Sequence, residues 1–225
     1  MNSINIFVEI GKKKTFAGAV EWPGWCRSGR GENAALQSLI DYGPRYAQVL
    51  HSAGIEFQAP TDTAAFIVTE QHTGNATTDF GAPAIILDVD REPVDRLELA
   101  RLQTLFQACW HAFDNAVQQA TGRELRKGPR GGGGDLEKML HHVLEADLGY
   151  LRRLAWKQKR GGETNLLEAL KQTRQAILSA LEAAAKGALP EKGPRGGVIW
   201  PPRYFVRRVA WHILDHAWEI EDRMV

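Results

Sequence analysis

The sequence is short of cysteine and of long apolar runs, and each shortage excludes a class of protein. Its 225 residues contain two cysteines, too few for a disulfide framework or a cysteine-based zinc module. No run of about 18 apolar residues is present, so no membrane span is predicted. Residues 1–10 lack a basic segment followed by an apolar core, which predicts no secretory signal peptide. We therefore expect a reducing, cytoplasmic setting.

The sequence also lacks a large net charge of either sign. It has 28 Lys and Arg against 27 Asp and Glu, and a formal charge of +1. Domains that bind nucleic acid commonly carry an excess of Lys and Arg over Asp and Glu. We therefore expect no nucleic-acid partner and no membrane partner. If the protein is an enzyme, we expect its substrate to be a small molecule. The composition does not identify that molecule.

The first 90 or so residues combine strand patterns with one helix pattern. Apolar residues spaced three and four apart predict a helix at residues 32–53, with Pro44 as the point where it kinks or splits. Residues 71–81 are polar and predict a loop. Strands are predicted at residues 4–10, 15–22 and 64–69, with a fourth strand or a buried linker at 84–89.

From Pro93 onwards the apolar pattern is helical. Asp135 is a predicted N-cap, and the prolines at 201 and 202 suit a first helical turn. Four helices of this length can close a bundle around one core. We predict an α+β protein with a small N-terminal α/β sandwich-type domain at residues 1–92 and a four-helix bundle at residues 93–225. The bundle helices are expected at residues 97–121, 135–156, 164–186 and 201–225.

Two histidines of the last helix share its apolar face. His212 and His216 are four residues apart, which places one above the other within the stripe that also holds Val209 and Ile213. Buried imidazoles without partners cost free energy, and a metal ion is a partner that both can share. Hydrogen bonds within the core are the alternative explanation.

The second bundle helix offers a third imidazole, as a metal site inside a bundle requires. His142 lies toward the edge of its apolar stripe, whereas His141 falls among solvated positions. Three imidazoles leave coordination positions open, which is typical of catalytic rather than structural sites. We therefore predict that His142, His212 and His216 bind a divalent metal such as Zn, Ni, Fe or Mn.

These histidines carry a family resemblance. The segment His142-Val143-Leu144-Glu145-Ala146-Asp147, together with Trp211-His212-Ile213-Leu214-Asp215-His216, resembles the DinB-like four-helix bundle superfamily over residues 95–225. That family binds a divalent metal through one histidine of its second helix and a His-x-x-x-His pair of its last. The resemblance implies a metal-dependent enzyme, a thiol-dependent transferase or hydrolase with a low-molecular-weight thiol as cosubstrate. It also implies pairing of bundles, and the tryptophan-rich surface favours a homodimer.

The N-terminal half carries a second resemblance. Two strands, the segment Pro23-Gly24-Trp25-Cys26 and a following helix are similar to the HicB-like antitoxin fold, although the motif is shortened here. No attached DNA-binding segment is recognisable, so operator binding is not implied. A lid, a dimerisation module or a partner-binding module is expected. The alternative function is a non-catalytic binding or regulatory protein whose metal site is structural or vestigial.

Carboxylates near the histidines are candidates to orient them. Glu145 follows His142 by three residues, and Asp215 and Glu219 flank the pair on the last helix. Such carboxylates commonly hydrogen-bond metal-ligating imidazoles. An ordinary charged helix end explains Glu219 equally well.

A repeated hexapeptide, Lys-Gly-Pro-Arg-Gly-Gly, precedes the second and fourth bundle helices. If the helices alternate in direction, both copies lie at one end of the bundle. Arg130 and Arg195 would then bind an anionic substrate beside two helix N-termini. The short connection at residues 157–163 favours alternation. Solvated loops without a ligand are the alternative.

Overall fold

The protein is described by a computed structural model that covers residues 3–127, 135–158, 165–193 and 196–225. Its fold is α+β, a small mixed sheet followed by helices. The first part contains β1 (Ile4–Ile10), β2 (Thr15–Ala19), β3 (Cys26–Gly29), α1 (Glu32–His51), β4 (Phe66–Thr73) and α2 (Ala76–Phe80). The second part contains α3 (Arg96–Ala120), α4 (Leu136–Arg153), α5 (Leu166–Ala185) and α6 (Pro202–Arg223).

The sheet has the strand order β3-β2-β1-β4. The β1–β2 and β2–β3 pairs are antiparallel, and β4 lies parallel to β1 with Ile6 opposite Val68. A parallel pair needs a crossover connection, and α1 supplies it. The helix packs closely on β3, because a Cβ at Gly29 would come within 2.4 Å of the backbone of Ala34 and Ala35.

The sheet differs from its prediction at several ends. Strand β1 has the predicted bounds, whereas β2 ends at Ala19 and β4 continues to Thr73 into the predicted loop, which also contains α2. The helix predicted to kink or split at Pro44 is one element. Residues 84–89 form a linker rather than a strand, because the buried carboxylate of Glu9 accepts hydrogen bonds from the N–H groups of Ala84 and Ile85.

Strand β3 has no counterpart in the prediction. Its residues, Cys-Arg-Ser-Gly, are of the kinds typical of turns. Pairing with β2, including Cys26 opposite Gly18, holds this segment in extended form. The strand therefore depends on a partner supplied by the sheet more than on its own composition.

Helices α4 and α6 are antiparallel neighbours. Near the start of α6, the N–H of Trp200 donates to the carbonyl of Arg153 at the end of α4, 3.0 Å away. At the other end, Arg223 Nη1 lies 3.2 Å from Met139 Sδ near the start of α4. Matching the start of one helix with the end of the other shows that the two run in opposite directions.

Helices α3 and α6 run in the same direction. Glu98 and Arg203 form an ion pair of 2.7 Å near the starts of both helices, and Arg126 N–H donates to the Arg223 carbonyl beyond the end of α3. The predicted alternation of directions is therefore wrong, because the length of a connection does not determine which end of the bundle it reaches. The two hexapeptides precede helices that begin at opposite ends. Arg130 and Arg195 themselves lie outside the described residues.

A continuous apolar core joins the sheet to the bundle. Trp25 and Tyr46 from the first part belong to the same buried cluster as Phe106, Phe205 and Ile213 from the second. Helix α6 connects the second part to the chain that precedes it. It packs on α3 and α4, and it also contacts residues 89–91, just before α3. In the described ranges, no helix is both long enough and apolar enough to cross a membrane.

Candidate metal centre

Helix α6 places two histidines on the side that faces α4, where their rings contact those of His142 and Tyr150. Because apolar partners surround α6, His212 is 6% exposed and its neighbours Trp211 and Ile213 are buried. His216 lies one turn further along and is half-buried, while His142 projects from α4 at the exposed margin of the bundle. The cluster therefore has one face in the core and one face toward solvent.

The three imidazoles converge through their Nε2 atoms. His212 Nε2 lies 3.3 Å from His142 Nε2 and 3.2 Å from His216 Nε2. One ligand nitrogen from each ring falls within 4.8 Å of the other two. A tetrahedral ion with metal–nitrogen bonds of about 2.05 Å separates its ligand nitrogens by about 3.4 Å. The spacing of this donor set therefore fits a bound divalent metal.

The surroundings keep two of these rings neutral. Burial holds the pKa of His212 well below its usual value, and repulsion from His216, His142 and Arg208 adds to that effect. Burial also lowers the pKa of His142, with a further contribution from His216. Neutral imidazole is the form that binds metal, so these shifts favour coordination near neutral pH.

Glu219 orients one of the rings. Its Oε2 lies 3.1 Å from His216 Nδ1, and its Oε1 accepts a hydrogen bond of 3.0 Å from Arg223 Nη1. The hydrogen bond with His216 is the main cause of a lowered pKa at Glu219, so the carboxylate stays ionised. A proton on Nδ1 leaves Nε2 of His216 as the nitrogen able to bind a metal.

Aromatic packing surrounds the ring of His212. Its Nδ1 is buried and has no hydrogen-bond partner among the described residues. The ring of Tyr150 meets the imidazole edge-on at 5.6 Å, and the ring of Trp211 lies 6.2 Å away. These aromatic contacts help to fix the direction of the ring, since no described residue accepts a hydrogen bond from its Nδ1.

Glu145 and Asp215 were also predicted near the histidines. Glu145 is exposed on α4, three residues after His142, which is exposed as well. Asp215 forms an ion pair of 2.8 Å with Arg27 of β3, so it joins the sheet to α6. His141 is exposed, as its position in the helix predicted. The predicted substrate-binding residues Arg130 and Arg195 lie outside the described residues.

Sequence reasoning missed two residues beside the cluster. Tyr150 of α4 touches His212, and Arg208 of α6 lies close enough to lower the pKa of His212. Arg208 precedes His212 by four residues and Tyr150 follows His142 by eight, so both share a helix face with a histidine. That spacing was the signal available in the sequence.

Two cavities lie apart from the cluster. They have volumes of about 640 and 800 Å³, and both are lined in part by Glu21 and Trp22. None of the three histidines lines either cavity. Contact between the cluster and solvent is made on the side of exposed His142.

Comparison with known proteins supports the assignment suggested by the histidines. No curated protein and no solved structure matches the chain. The family model of the DinB superfamily matches residues 105–220, just over half of the chain. The match begins within α3, ends within α6 and includes all three histidines; the N-terminal half lies outside it. The chain therefore belongs to the DinB superfamily.

Proposed function

We propose that His142, His212 and His216 bind one divalent metal and that this metal serves catalysis. The proposal rests above all on the convergence of three ligand nitrogens within 4.8 Å of one another. The orienting contact of Glu219 with His216 supports it. Exposure of His142 supports a catalytic role, because a catalytic metal needs a position that water or substrate can reach.

The most specific activity that we propose is a thiol-dependent transfer or hydrolysis. A bound divalent ion would act as a Lewis acid and would lower the pKa of a coordinated water or thiol. Cys26 and Cys109 are buried, and burial raises the pKa of each thiol to about 12. Neither protein sulfur can act as a thiolate at neutral pH. The sulfur of such a reaction must therefore come from an external low-molecular-weight thiol.

We further propose that the N-terminal half, for which a HicB-like fold was predicted, covers α6. The order of its elements, three strands, a helix and a fourth strand, suits that resemblance. Arg27 contacts Asp215 and Arg45 contacts Glu221, so two arginines of this half bind carboxylates of α6. A cover of this kind keeps the buried side of the histidine cluster dry.

Elemental analysis of untagged protein, prepared without added metal, tests the metal site. We expect about one equivalent of a divalent metal per chain. His216→Ala should lower the metal content while far-UV circular dichroism stays unchanged, and the triple variant at all three histidines should hold none. His141→Ala is the matched control, because that ring is exposed and adjacent to His142.

Stoichiometric metal in His216→Ala, or no metal in wild-type protein after reconstitution, would reject the site. Loading with Co²⁺ then tests catalysis against a structural role. Addition of a small thiol should change the visible absorption of the Co²⁺ protein if a coordination position is open. An unchanged spectrum would indicate a closed structural site, and hence the non-catalytic alternative.

A further inference from the structure

One arginine of α6 lacks the carboxylate partner that the others have. Arg208 makes no ion pair or hydrogen bond with any described residue, and its Nη1 is buried without an acceptor. The other three arginines of the helix each bind a carboxylate: Arg203 binds Glu98, Arg207 binds Asp90 and Arg223 binds Glu219. The guanidinium of Arg208 thus has an unused donor at a buried position.

The same guanidinium lies beside the histidine cluster. It packs 4.8 Å from the ring centre of Trp211 and 5.4 Å from that of Tyr150. Both rings also contact His212, at 6.2 and 5.6 Å. Arg208 precedes His212 by one turn, a rise of about 6 Å along the helix axis. A single layer of aromatic rings therefore flanks both the cation and the nearest histidine.

The surroundings suit a flat anion. A buried donor without an acceptor costs free energy that a ligand oxygen can recover. The guanidinium is planar and binds a carboxylate through two parallel hydrogen bonds. Cation–π contact with two rings holds the side chain in place before a ligand arrives. Nη1 is buried, and a charge-assisted hydrogen bond is stronger at a buried position than in water.

We propose that Arg208 binds a carboxylate of the small molecule that reacts at the histidine cluster. This inference rests on the proposed function, since it places the reacting group about one helical turn from the carboxylate. The substrate class is therefore a small organic acid. Arg208 acts as a binding and specificity-determining residue and takes no part in holding the metal.

Calorimetric titration of Zn²⁺-loaded full-length protein tests the proposal with glutarate, a small dicarboxylate, and with its neutral analogue glutaramide. We expect glutarate to bind and glutaramide to bind at least tenfold more weakly. Arg208→Gln should weaken glutarate binding at least tenfold. Arg208→Lys, which keeps the charge and loses the planar fork, should fall between wild type and Arg208→Gln. Arg152→Gln removes an exposed arginine of α4 and should leave the affinity unchanged.

Metal content and circular dichroism of each sample separate this inference from the proposed function. Equal glutarate affinity in wild type and Arg208→Gln, with zinc retained in both, would overturn the role of Arg208 and leave the metal site intact. Absence of glutarate binding, or tighter binding of inorganic phosphate than of glutarate, would also overturn it. Arginine-dependent glutarate binding by protein that cannot hold zinc would instead reject the proposed function. If Arg208→Gln fails to fold, Arg208→Lys and the glutaramide comparison decide the question.

Discussion

At the scale of single residues, Asp147 is a buried acid of the bundle whose burial costs free energy. It is fully buried in α4, and neither carboxyl oxygen has a hydrogen-bond partner in the described part of the chain. Burial raises its pKa to about 7, an effect that the charge of Arg174 partly offsets. The folded protein therefore retains a proton that the unfolded chain loses near pH 4.

Asp147→Asn should stabilise the protein, and more so at pH 8 than at pH 4. The raised pKa means that the free energy of unfolding of wild-type protein falls as pH rises from about 4 to about 7. An amide has no proton to lose, so the variant escapes that loss. The difference at pH 8 should be on the order of 2–4 kcal/mol. Urea denaturation at both pH values measures it.

The matched control for this substitution is Asp41→Asn, which changes an exposed aspartate of α1. It should shift stability by less than about 0.5 kcal/mol at either pH. If Asp147→Asn gave the same stability gain at pH 4 and pH 8, the carboxyl would not be titrating in this range. The account of Asp147 as a buried, protonated acid would then be incorrect.

At the scale of elements, α6 carries most of the site on a single face. Arg208, His212, His216, Glu219 and Arg223 follow one another at spacings of four, four, three and four residues. Side chains with that spacing lie along one stripe of a helix. Helix α6 thus holds two imidazoles and the carboxylate of Glu219, which contacts one of them and accepts a hydrogen bond from Arg223. Helix α4 adds His142 and Tyr150 from the facing side.

Glu219→Ala should weaken zinc binding by about 10- to 100-fold without unfolding the protein, because an orienting carboxylate holds the ring of His216 and increases its basicity. Glu219→Gln keeps an acceptor but loses the charge, so its zinc affinity should be intermediate. Competition against a chromophoric chelator measures the affinities. Glu182→Ala, at an exposed position of α5, is the control. Wild-type affinity in Glu219→Ala would show that the contact does not matter for the metal.

Some of these elements could be predicted from the sequence and others could not. Apolar periodicity predicted α3, α4, α5 and α6 to within a few residues, and the helix face alone selected His142 over His141. It did not predict β3, since Cys26–Gly29 becomes a strand only through its pairing with β2. The predicted alternation of helix directions was wrong, because helix directions are determined by contacts between residues far apart in sequence, such as Trp200 with Arg153.

At the scale of the whole molecule, the sheet half and the bundle are joined by more than apolar contact. A buried ion pair joins Arg207 of α6 to Asp90, which directly follows the linker at residues 84–89; the two side chains are 6% and 3% exposed. Arg207 also donates to the carbonyl of Ile85 and stacks on the ring of Phe7 in β1. A single arginine thus connects the bundle, the linker and the sheet, and the apolar core is continuous across the same boundary.

Asp90→Asn should therefore destabilise both halves together. Removing one charge of a buried pair leaves the other uncompensated, which costs about 3–5 kcal/mol. Because the halves share a core, urea unfolding followed by far-UV circular dichroism and by tryptophan fluorescence should give one coincident transition, shifted to lower urea. The control is Asp114→Asn, which breaks the ion pair between Asp114 and Arg174. Because the side chain of Asp114 is 54% exposed, this change should lower the free energy of unfolding by less than about 1 kcal/mol. Two separate transitions, with only the first moved by Asp90→Asn, would mean that the sheet half and the bundle fold independently.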